Sequence, residues 1–501
     1  MRKASCGASA ETTSEKWTLS QEDRTVDIKK RGDTADLHPE AVFAHKSFDH
    51  PEQAGSLLRL GEYVAENGME GPGKYRAARD LLLGLAPRLR GQALLRPGET
   101  TLAAAERIGV SLDESVVPIQ GPPGAGKTYT AARMILSLVR EGKRVGITAN
   151  SHKVIRNLLT EVISAAAAAD LCLQCVHKIS EKETSSLPSL RLTKSNEEAL
   201  DLLRATCAVG GGTSFFWSRA DANLSVDVLF IDEAAQMSLA DVLAVSQAAK
   251  SVVLLGDPRQ LEQPIQGCHP DGVAVSALDH ILGARATVPP ERGLFLAETW
   301  RLHPDICVFN SELFYEGRLR SHAGLEKQEI RSTGRLGGAG LRYLPIEHTG
   351  NQNSAKEEAE AIRHLVSSIL DAGSTWIDRQ GVEKSIGLED ILIVAPYNAQ
   401  VFELQERIPG ARIGTVDKFQ GQEAPIVIYS MTTSSHSDAP RGMEFLYSAN
   451  RLNVATSRAK CICFIVASPR LFEAECRTPR QMQLANAFCR YLEIAIELRA
   501  L

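Results

Sequence analysis

The sequence lacks any apolar run of the roughly 18–20 residues that a helix needs to cross a bilayer. Residues 1–17 are basic and then polar, and they contain no apolar stretch. We therefore expect neither a secretory signal nor a lipoprotein leader, despite Cys6, and we expect a cytoplasmic protein with no membrane partner. Glycine accounts for only 38 of 501 residues and no long heptad pattern occurs, which excludes collagen-like and coiled-coil proteins.

The sequence also contains few cysteines and few aromatic residues, and it has no excess of positive charge. Ten cysteines are ordinary usage for a reduced cytosolic protein, and the lone CxxC of Cys172 and Cys175, near His177, is more typical of buried or incidental thiols than of a metal or redox site. Aromatic residues make up 5%, which argues against an extensive base-stacking platform. The net charge of −5 excludes a protein that is basic throughout, although a nucleic-acid groove needs only a local basic face.

Length and composition are those of a globular protein with several domains. At roughly 100–200 residues per domain, the chain is long enough for about two to four. Hydrophobic residues make up 44% and charged residues 23%, so disorder of the whole chain is excluded. Residues 1–45 are polar and without pattern, and we expect a loosely ordered lead-in there. In residues 46–115 apolar positions recur every three and four residues, which predicts helices.

From residue 116 onward, short apolar runs alternate with helical segments. Strands separated by helices in this way form parallel sheets with crossover connections. We predict one α/β domain over residues 116–290, with a helical insertion near 165–205, and a second over residues 291–495. The predicted strands are Val116–Ile119, Arg144–Thr148, Val226–Ile231, Ser251–Leu255, Leu341–Leu344, Asp390–Val394, Ala411–Thr415, Ile426–Ser430 and Cys461–Val466.

A glycine-rich segment between the first predicted strand and the next helix matches the phosphate-binding pattern GxxxxGK[ST] in full. Its glycines let backbone N–H groups turn inward at a helix N-terminus and form a nest for an anion. Lys127 supplies charge for the β- and γ-phosphates, and the Thr128 hydroxyl is a ligand for Mg²⁺. A purely structural turn would leave Lys127 at a helix start, where the dipole disfavours a cation. The predicted nucleotide-binding residues here are Gly121, Pro122, Pro123, Gly124, Ala125, Gly126, Lys127, Thr128 and Tyr129.

Two carboxylates, Asp232 and Glu233, directly follow the apolar run that ends at Ile231. Because parallel strands end at one edge of a sheet, we expect both beside the phosphate-binding loop. Asp232 is suited to hold Mg²⁺ through water, and Glu233 to orient and deprotonate an attacking water. The alternative is two solvated acids at a strand end.

Five segments, which include this acidic pair, follow the phosphate-binding loop and carry a resemblance to a known family. They occur in the order Asp232–Gln236 (DEAAQ), Gly256–Leu261 (GDPRQL), Trp300–Pro304 (WRLHP), Gly414–Glu423 (GTVDKFQGQE) and Arg451–Lys460 (RLNVATSRAK). This series resembles motifs II to VI of superfamily 1 helicases of the Upf-like branch. Within that branch, the motifs most resemble those in the C-terminal helicase half of bacterial proteins that fuse a RecB-like nuclease to a helicase. The resemblance covers about residues 75–495.

The resemblance implies an α/β protein with two tandem RecA-like P-loop domains, a mostly helical N-terminal lead-in, and ATP and Mg²⁺ as ligands. It implies that Gln260 senses the γ-phosphate, that Arg301 and Arg458 are arginine fingers, and that Glu423 lies near the nucleotide sugar. Guanidinium groups suit phosphoryl transfer because they match phosphate in a bidentate way. If both arginines come from the second domain, the site is complete only when the domains close. Each arginine alone could instead be a surface ion pair.

A nucleic-acid strand is expected to cross both domains on the face away from the phosphates. Short polar side chains and backbone N–H groups suit phosphate contacts that read no sequence, and Tyr397 could stack on a base. Ser151 could instead cap a helix, His152 could bond a backbone carbonyl, and Tyr397 could be packed under a helix. The candidates are Ser151, His152, Thr213, Pro396, Tyr397, Asn398, Thr415, Val416 and Asp417.

The resemblance thus predicts an ATP-dependent helicase or translocase that acts 5′→3′ on single-stranded nucleic acid, with DNA as the expected strand and DNA repair as the expected setting. Two alternatives stay open: an RNA helicase with the same engine, and an ATP-hydrolysing clamp that serves a nuclease without unwinding. The chain shows no nuclease constellation of its own, so two interpretations stay open: a stand-alone helicase, or the C-terminal part of a split or truncated nuclease–helicase gene, in which case a RecB-like nuclease encoded upstream is the expected partner.

Overall fold

The computed structural model divides the chain into two separate units, residues 1–50 and 51–501. The first contains a short antiparallel pair, β1 (Thr18–Ser20) and β2 (Thr25–Asp27), within the predicted lead-in. The rest of that lead-in lies outside the described residues. The structure describes residues 18–20, 25–27, 50–91, 93–181, 184–185, 187–262, 272–419 and 421–498.

Three helices open the second unit, as the apolar spacing predicts. They are α1 (Pro51–Asn67), α2 (Arg76–Leu83) and α3 (Thr101–Ser111). The last begins at a Thr100 cap, whose hydroxyl accepts the N–H of Ala103 at 3.3 Å. No helix in the described ranges is long and apolar enough to span a membrane.

The first domain is built on a sheet that has eight strands in the described part of the chain, all paired in parallel. The order across it is β10-β3-β9-β8-β4-β7-β5-β6 for β3 (Val116–Gln120), β4 (Val145–Thr148), β5 (Cys175–Lys178), β6 (Leu190–Thr193), β7 (Val209–Gly211), β8 (Val226–Ile231), β9 (Ala249–Gly256) and β10 (Leu294–Phe295). The helices that follow these strands are α4 (Lys127–Arg140), α5 (His152–Ala168), α6 (Asn196–Ala205), α7 (Ser214–Trp217), α8 (Leu239–Ser246) and α9 (Ala277–Leu282). The central strands are buried on both faces, which is why they are continuous apolar runs.

The structure corrects two details of the predicted domain layout. The segment 165–205, predicted as a helical insertion, contains the two sheet strands β5 and β6 besides the end of α5 and the helix α6. The strand β6 lies at the edge of the sheet and exposes Arg191 between buried Leu190 and Thr193, so its polar side chains concealed it in the sequence. The first sheet also continues to β10, beyond the predicted boundary at residue 290.

The second domain carries a parallel sheet of six described strands in the order β18-β17-β19-β20-β14-β21. A small antiparallel sheet, β13-β15-β16, and a two-stranded pair, β11-β12, accompany it. The strands are β11 (Glu298–Thr299), β12 (Arg320–Ser321), β13 (Glu329–Arg331), β14 (Gly340–Pro345), β15 (Thr375–Ile377), β16 (Glu383–Ser385), β17 (Ile391–Ala395), β18 (Arg412–Thr415), β19 (Ala424–Ser430), β20 (Ala459–Ala467) and β21 (Ile496–Glu497). The helices are α10 (Pro304–Phe314), α11 (Lys356–Asp371), α12 (Asn398–Arg407), α13 (Gly442–Leu446), α14 (Ala449–Thr456) and α15 (Pro479–Ile494). All nine predicted strands are confirmed, as is the α/β class with two tandem parallel-sheet domains.

Candidate nucleotide site and strand-binding track

The C-terminal edge of the first sheet carries the candidate residues in a spatial order. The phosphate-binding loop follows β3, Asp257 follows β9 and Asp232 follows β8, and these three strands are neighbours. Ser151 follows β4 and Thr213 follows β7, which are the next two strands along. One half of the edge therefore gathers the groups predicted to bind nucleotide, and the other half gathers those predicted to bind a strand.

The phosphate-binding loop adopts a conformation that its glycines permit. Gly124 and Gly126 have φ angles of +74° and +79°, in the left-handed region that favours glycine. The helix α4 begins directly afterwards at Lys127, whose ammonium donates to the Gly121 carbonyl at 2.6 Å. The loop thus places a helix N-terminus and a lysine around one space, an arrangement that binds phosphate.

Gly124 is also where the second half of the molecule approaches the loop most closely. A Cβ atom at this position would lie 2.6 Å from Arg301 Cβ and 2.7 Å from Thr299 Oγ1. The Trp300 N–H donates to the Gly124 carbonyl at 2.9 Å, and the Thr299 hydroxyl donates to the Pro123 carbonyl at 2.9 Å. The segment that carries Arg301 is therefore held directly against the loop.

Asp232 and Glu233 lie at the end of β8, as predicted. Asp232 is buried, and its carboxylate accepts the N–H of Glu233 at 2.9 Å. Burial, and then the neighbouring charge of Glu233, raise the pKa of Asp232 to about 7, against the opposing effect of Lys127. Glu233 has a φ of +54°, in the left-handed region, so the chain turns sharply there.

Thr128 and Asp232 fit the Mg²⁺ ion that the sequence predicts. A hydroxyl and a carboxylate offer the hard oxygen ligands that Mg²⁺ prefers, and the ion usually takes its remaining ligands from water and phosphate. A cation next to Asp232 would also favour the charged form of a carboxylate whose pKa burial has raised. No cluster of three or more His, Cys, Asp or Glu suited to a metal occurs among the described residues, which agrees with so sparse a protein ligand set.

A cavity of about 400 Å³ lies between the loop and the second domain. It brings together every predicted nucleotide residue except Gly121 and Asp232, which are buried. Residues of the second domain that sequence reasoning missed, Arg379 and Gly421, also line it. The predicted residues that line the cavity are Pro122, Pro123, Gly124, Ala125, Gly126, Lys127, Thr128, Tyr129, Glu233, Gln260, Arg301, Glu423 and Arg458.

Arg301 forms an ion pair with Glu423, which also pairs with Lys460. Its Nε lies 2.5 Å from one Glu423 oxygen, and the Lys460 ammonium lies 2.8 Å from the other. Although burial raises it, the pKa of Glu423 falls to about 2 because of Arg301 and Lys460. Glu423 was predicted to lie near the nucleotide sugar; in the structure its carboxylate fixes the position of Arg301 while it lines the same cavity.

Arg458 is almost fully buried beside Gln260. One terminal nitrogen donates to Gln260 Oε1 at 3.3 Å, another donates to the Gln422 carbonyl at 3.3 Å, and Nε has no partner among the described atoms. Burial, and then the charge of Arg301, lower the pKa of Arg458 to about 9. An anion in the cavity would offset both effects, which is the environment that a phosphate-binding arginine needs.

A buried hydrogen-bond network joins the two domains behind these residues, and sequence reasoning missed it. Asp257 accepts from Gln120 at 3.3 Å, from Gln260 at 3.0 Å and from the Tyr315 hydroxyl at 2.7 Å. Asn453, on α14, donates to Tyr315 at 2.8 Å and to a main-chain carbonyl of the first domain at 2.7 Å. The network connects the γ-phosphate candidate Gln260 to the helix that leads to Arg458. Asp257 and Asn453 lie within the quoted motifs, but no spacing signal pairs them with Tyr315.

A second chamber of about 610 Å³ opens beside the loop and shares several of its residues. Its own walls include Thr100, Leu102 and Leu296. Tyr129 and Trp300, which are 49% and 45% exposed, line both chambers. Exposed aromatic and apolar surface beside a phosphate site suits a nucleobase.

In the first domain, the strand-track candidates lie where the sheet edge predicts. The Ser151 hydroxyl caps α5 by accepting the Val154 N–H at 3.3 Å, the alternative that the sequence left open. His152 contacts the buried His177, with 3.2 Å between Nδ1 and Nε2, and lies 3.0 Å from the Ser180 hydroxyl. Thr213 is half-buried after β7. Ser151 alone of the three predicted residues is exposed.

In the second domain, the candidates follow the neighbouring strands β17 and β18, but three of them, Pro396, Tyr397 and Val416, are buried. Tyr397 is 8% exposed and its ring lies 5.4 Å from that of Phe445, so it does not present a face for stacking. The prediction that Tyr397 stacks on a base is therefore corrected, because its ring packs in the core and is not exposed to solvent. Val416 is also buried, which leaves its backbone for any contact. Asn398 and Asp417 are exposed, Thr415 is half-buried and Pro396 is buried.

Sequence reasoning missed a basic and aromatic group next to these residues. The Arg441 and Arg451 guanidinium groups lie over the Phe445 ring, at 3.9 and 4.4 Å from its centroid. Arg451 also pairs with Asp417 at 3.3 Å. Arg441, Phe445 and Arg451 are close in the sequence, whereas Asp417 comes from a distant segment, so sequence spacing does not indicate the contact with Asp417.

Comparison with known protein families matches both halves of the chain. Two family models, each described as an AAA domain, match residues 102–277 and 274–470. The first match spans the phosphate-binding loop, Asp232, Glu233 and Gln260, and the second spans Arg301, Glu423 and Arg458. All the candidate catalytic side chains therefore fall within the two matches.

Curated proteins align with most of this chain. The Regulator of nonsense transcripts 1 homolog of Drosophila melanogaster is 26% identical over 404 residues, which is 70% of this chain and 33% of that protein. The DNA polymerase alpha-associated DNA helicase A of Schizosaccharomyces pombe is 24% identical over 411 residues, 68% of this chain and 59% of that protein. The DNA replication ATP-dependent helicase/nuclease dna2 of the same yeast is 27% identical over 437 residues, 78% of this chain and 29% of that protein. The chain thus spans between 29% and 59% of the length of these relatives.

The order of the motifs, the two parallel-sheet domains with a cavity between them, and the similar proteins lead to one assignment. Both halves of the chain match AAA domains, and the chain is similar to the ATP-hydrolysing helicases of the Upf-like branch of superfamily 1.

Proposed function

We propose that this chain is an ATP-driven translocase that moves 5′→3′ along single-stranded DNA and thereby unwinds duplexes. The observation that carries the proposal is the cavity lined by both domains. Lys127 and Glu233 come to it from the first domain, and Arg301 and Arg458 come from the second. An ATP molecule there would touch both domains, so that its hydrolysis changes how strongly they attract each other.

The first domain supplies the groups that bind ATP and activate water. The loop and Lys127 hold the β- and γ-phosphates, and Thr128 and Asp232 are the residues that would hold Mg²⁺. The ion, when bound, neutralises charge on the phosphate oxygens. Glu233 accepts a proton from the water that attacks the γ-phosphorus, while the bond to the β-phosphate oxygen breaks and ADP leaves.

The second domain completes the site. Arg301 and Arg458 place positive charge on the phosphoryl group as it is transferred, and Gln260 links Arg458 to the nucleotide side. With the γ-phosphate present, these groups favour domain closure. Once phosphate leaves, the two guanidinium groups of the second domain lose the anion that attracted them to the first domain, and the closed state weakens.

The strand would cross the C-terminal edges of both sheets. In the second domain the nucleotide groups lie at the opposite edge, because Glu423 and Arg458 directly precede β19 and β20. The segment from Val416 to Glu423 therefore runs from the strand side of the second sheet to the nucleotide side. Such a segment can transmit closure at the nucleotide into movement along the track.

The choice of strand and direction rests on family resemblance. Two of the three relatives above are named as DNA helicases and the third as a regulator of nonsense transcripts. RNA remains the alternative substrate, because none of the candidate contacts distinguishes a 2′-hydroxyl. A RecB-like nuclease partner, and a clamp that serves it without unwinding, stay predictions from the resemblance alone. ATPase assays with matched DNA and RNA oligomers, and strand displacement from 5′- and 3′-tailed duplexes, test the two choices directly.

Glu233→Gln should bind ATP but lower kcat roughly 10²-fold or more, because the amide cannot accept the proton of the attacking water. Steady-state ATPase assays and nucleotide titrations measure the two effects. Glu312→Gln is the matched control, since Glu312 pairs with Arg490 on the surface of the second domain. Turnover near wild type in Glu233→Gln would remove Glu233 from the role of base.

Arg458→Ala should lower kcat roughly 10³-fold, the scale of a lost arginine finger, without loss of secondary structure. Circular dichroism checks the fold, and ATPase assays measure the rate. The control is Arg363→Ala, which removes an exposed arginine that pairs with Glu360 on α11. If a folded Arg458→Ala protein hydrolyses ATP like wild type, the second domain does not complete the site through this residue.

Strand binding and nucleotide binding should be coupled by about 5–150-fold, or roughly 1–3 kcal/mol, and the coupling must be reciprocal. The measurement is the affinity for a single-stranded oligomer without nucleotide, with a non-hydrolysable ATP analogue and with ADP. Three equal affinities, together with ATPase activity that single strands do not stimulate, would contradict a translocase. An ATPase uncoupled from nucleic acid would then replace it.

A further inference from the structure

An arginine that no motif contains lies where the two nucleotide chambers meet. Arg379 lines both the phosphate cavity and the neighbouring chamber, and it is exposed. Only the phosphate cavity is also lined by Lys127 and Glu233, and only the other chamber by Thr100. In a nucleoside triphosphate, the α-phosphate and ribose separate the terminal phosphates from the base, so that part of the molecule would lie nearest Arg379.

The hairpin that carries Arg379 is built to hold it in place. Arg379 follows β15 in the turn to β16, directly after Asp378. The Asp378 carboxylate accepts the N–H of Gln380 at 2.9 Å and the N–H of Val382 at 3.0 Å, and it pairs with Lys384 at 2.7 Å. A turn closed by three such contacts restricts the backbone of Arg379 and reduces the entropy lost when its side chain binds a ligand.

The hairpin also touches the residues that hold the arginine finger. Lys460, which pairs with Glu423, lies over the Trp376 ring of β15 at 5.7 Å, and Lys384 lies over the same ring at 5.2 Å. Since Glu423 in turn holds Arg301, the hairpin and the finger form one connected group in the second domain. Arg379 would therefore reach a nucleotide through the same domain closure that brings Arg301.

The guanidinium of Arg379 has unused donors. When the side-chain nitrogen of Gln380 faces the Asp378 carboxylate, its side-chain oxygen accepts a hydrogen bond from Arg379 Nε at 3.0 Å. Within the described part of the chain, neither terminal nitrogen has a hydrogen bond or an ion pair. Arg301, by contrast, already pairs with a carboxylate. Arg379 is thus a cation at the junction of the chambers with two terminal nitrogens to offer a phosphate.

We propose that Arg379 binds the α-phosphate of the nucleotide, where the triphosphate joins the ribose. This inference rests on the proposed ATP site and adds a contact from the second domain that is independent of the γ-phosphate. Such a contact keeps the second domain in touch with ADP after phosphate has left. It strengthens ground-state binding and lies apart from the bond that breaks, so its loss should raise KM and leave kcat nearly unchanged.

The test compares ATP, ADP, AMP and adenosine as ligands of the wild type, Arg379→Ala and Arg379→Lys, by competition against a fluorescent ATP analogue. Arg379→Ala should weaken the three phosphorylated ligands by about tenfold or more, the scale of a lost hydrogen bond to a charged group. The affinity for adenosine should stay unchanged, and Arg379→Lys should recover part of the loss because it restores the charge. Arg331→Ala is the matched control, since Arg331 lies in the same small sheet and pairs with Glu383.

Equal ligand affinities in Arg379→Ala and wild type would overturn the proposal. A loss confined to ATP would also overturn it, because the contact would then be to the γ-phosphate. The strand-stimulated ATPase of the wild type is measured in parallel. Its absence would contradict the translocase without affecting the ligand affinities, so failure of the Arg379 contact and failure of the proposed function are distinguishable.

Discussion

The arrangement of the two domains depends on a group of positive charges at their interface, of which Arg458 is buried and Arg301 is half-buried. Arg301 and Arg458 lie close enough to lower the pKa of Arg458, and both line a cavity with Lys127 on its opposite wall. Among the described lining residues, the cationic side chains are Lys127, Arg301, Arg379 and Arg458, and the carboxylates are Glu233 and Glu423. Like charges that are buried together are costly unless an anion separates them. A nucleoside triphosphate with its magnesium ion is an anion of suitable size. By compensating these positive charges, it would draw the two domains together.

In the proposed mechanism, the second sheet links that local attraction to the strand-binding candidates at its opposite edge. Thr415 ends β18 at one edge, and Glu423 directly precedes β19 at the other. Because the two strands are parallel, the chain between them must cross the width of the sheet. The network of Asp257, Tyr315 and Asn453 provides a second, buried connection across the domain interface. The network is buried at the domain interface, so in the proposed mechanism a small displacement at the nucleotide need not be absorbed locally.

Most of this fold could be predicted from the sequence because central parallel strands are continuous apolar runs and the phosphate-binding loop has a fixed pattern. The strand β6 was not predicted because a short strand at a sheet edge exposes polar side chains, as Arg191 does, and β5 was missed because it has only four residues, of which the buried His177 and the half-buried Lys178 are polar. The candidate site was predictable only where local motifs define it. Arg379 reaches the cavity and Tyr315 reaches Asp257 through long-range packing, and Tyr397 packs against Phe445, which lies almost fifty positions later. Periodicity and spacing carry no information on such contacts.

The most direct test of the account is the distance between the two domains in different nucleotide states. Dyes attached through non-natural amino acids at the exposed positions Glu141 and Phe402 report this distance by fluorescence energy transfer. A non-hydrolysable ATP analogue should shift the distribution to shorter distances than ADP, and Arg458→Ala should abolish the shift. Identical distributions without nucleotide, with the analogue and with ADP would contradict the claim that a nucleotide anion closes the domains.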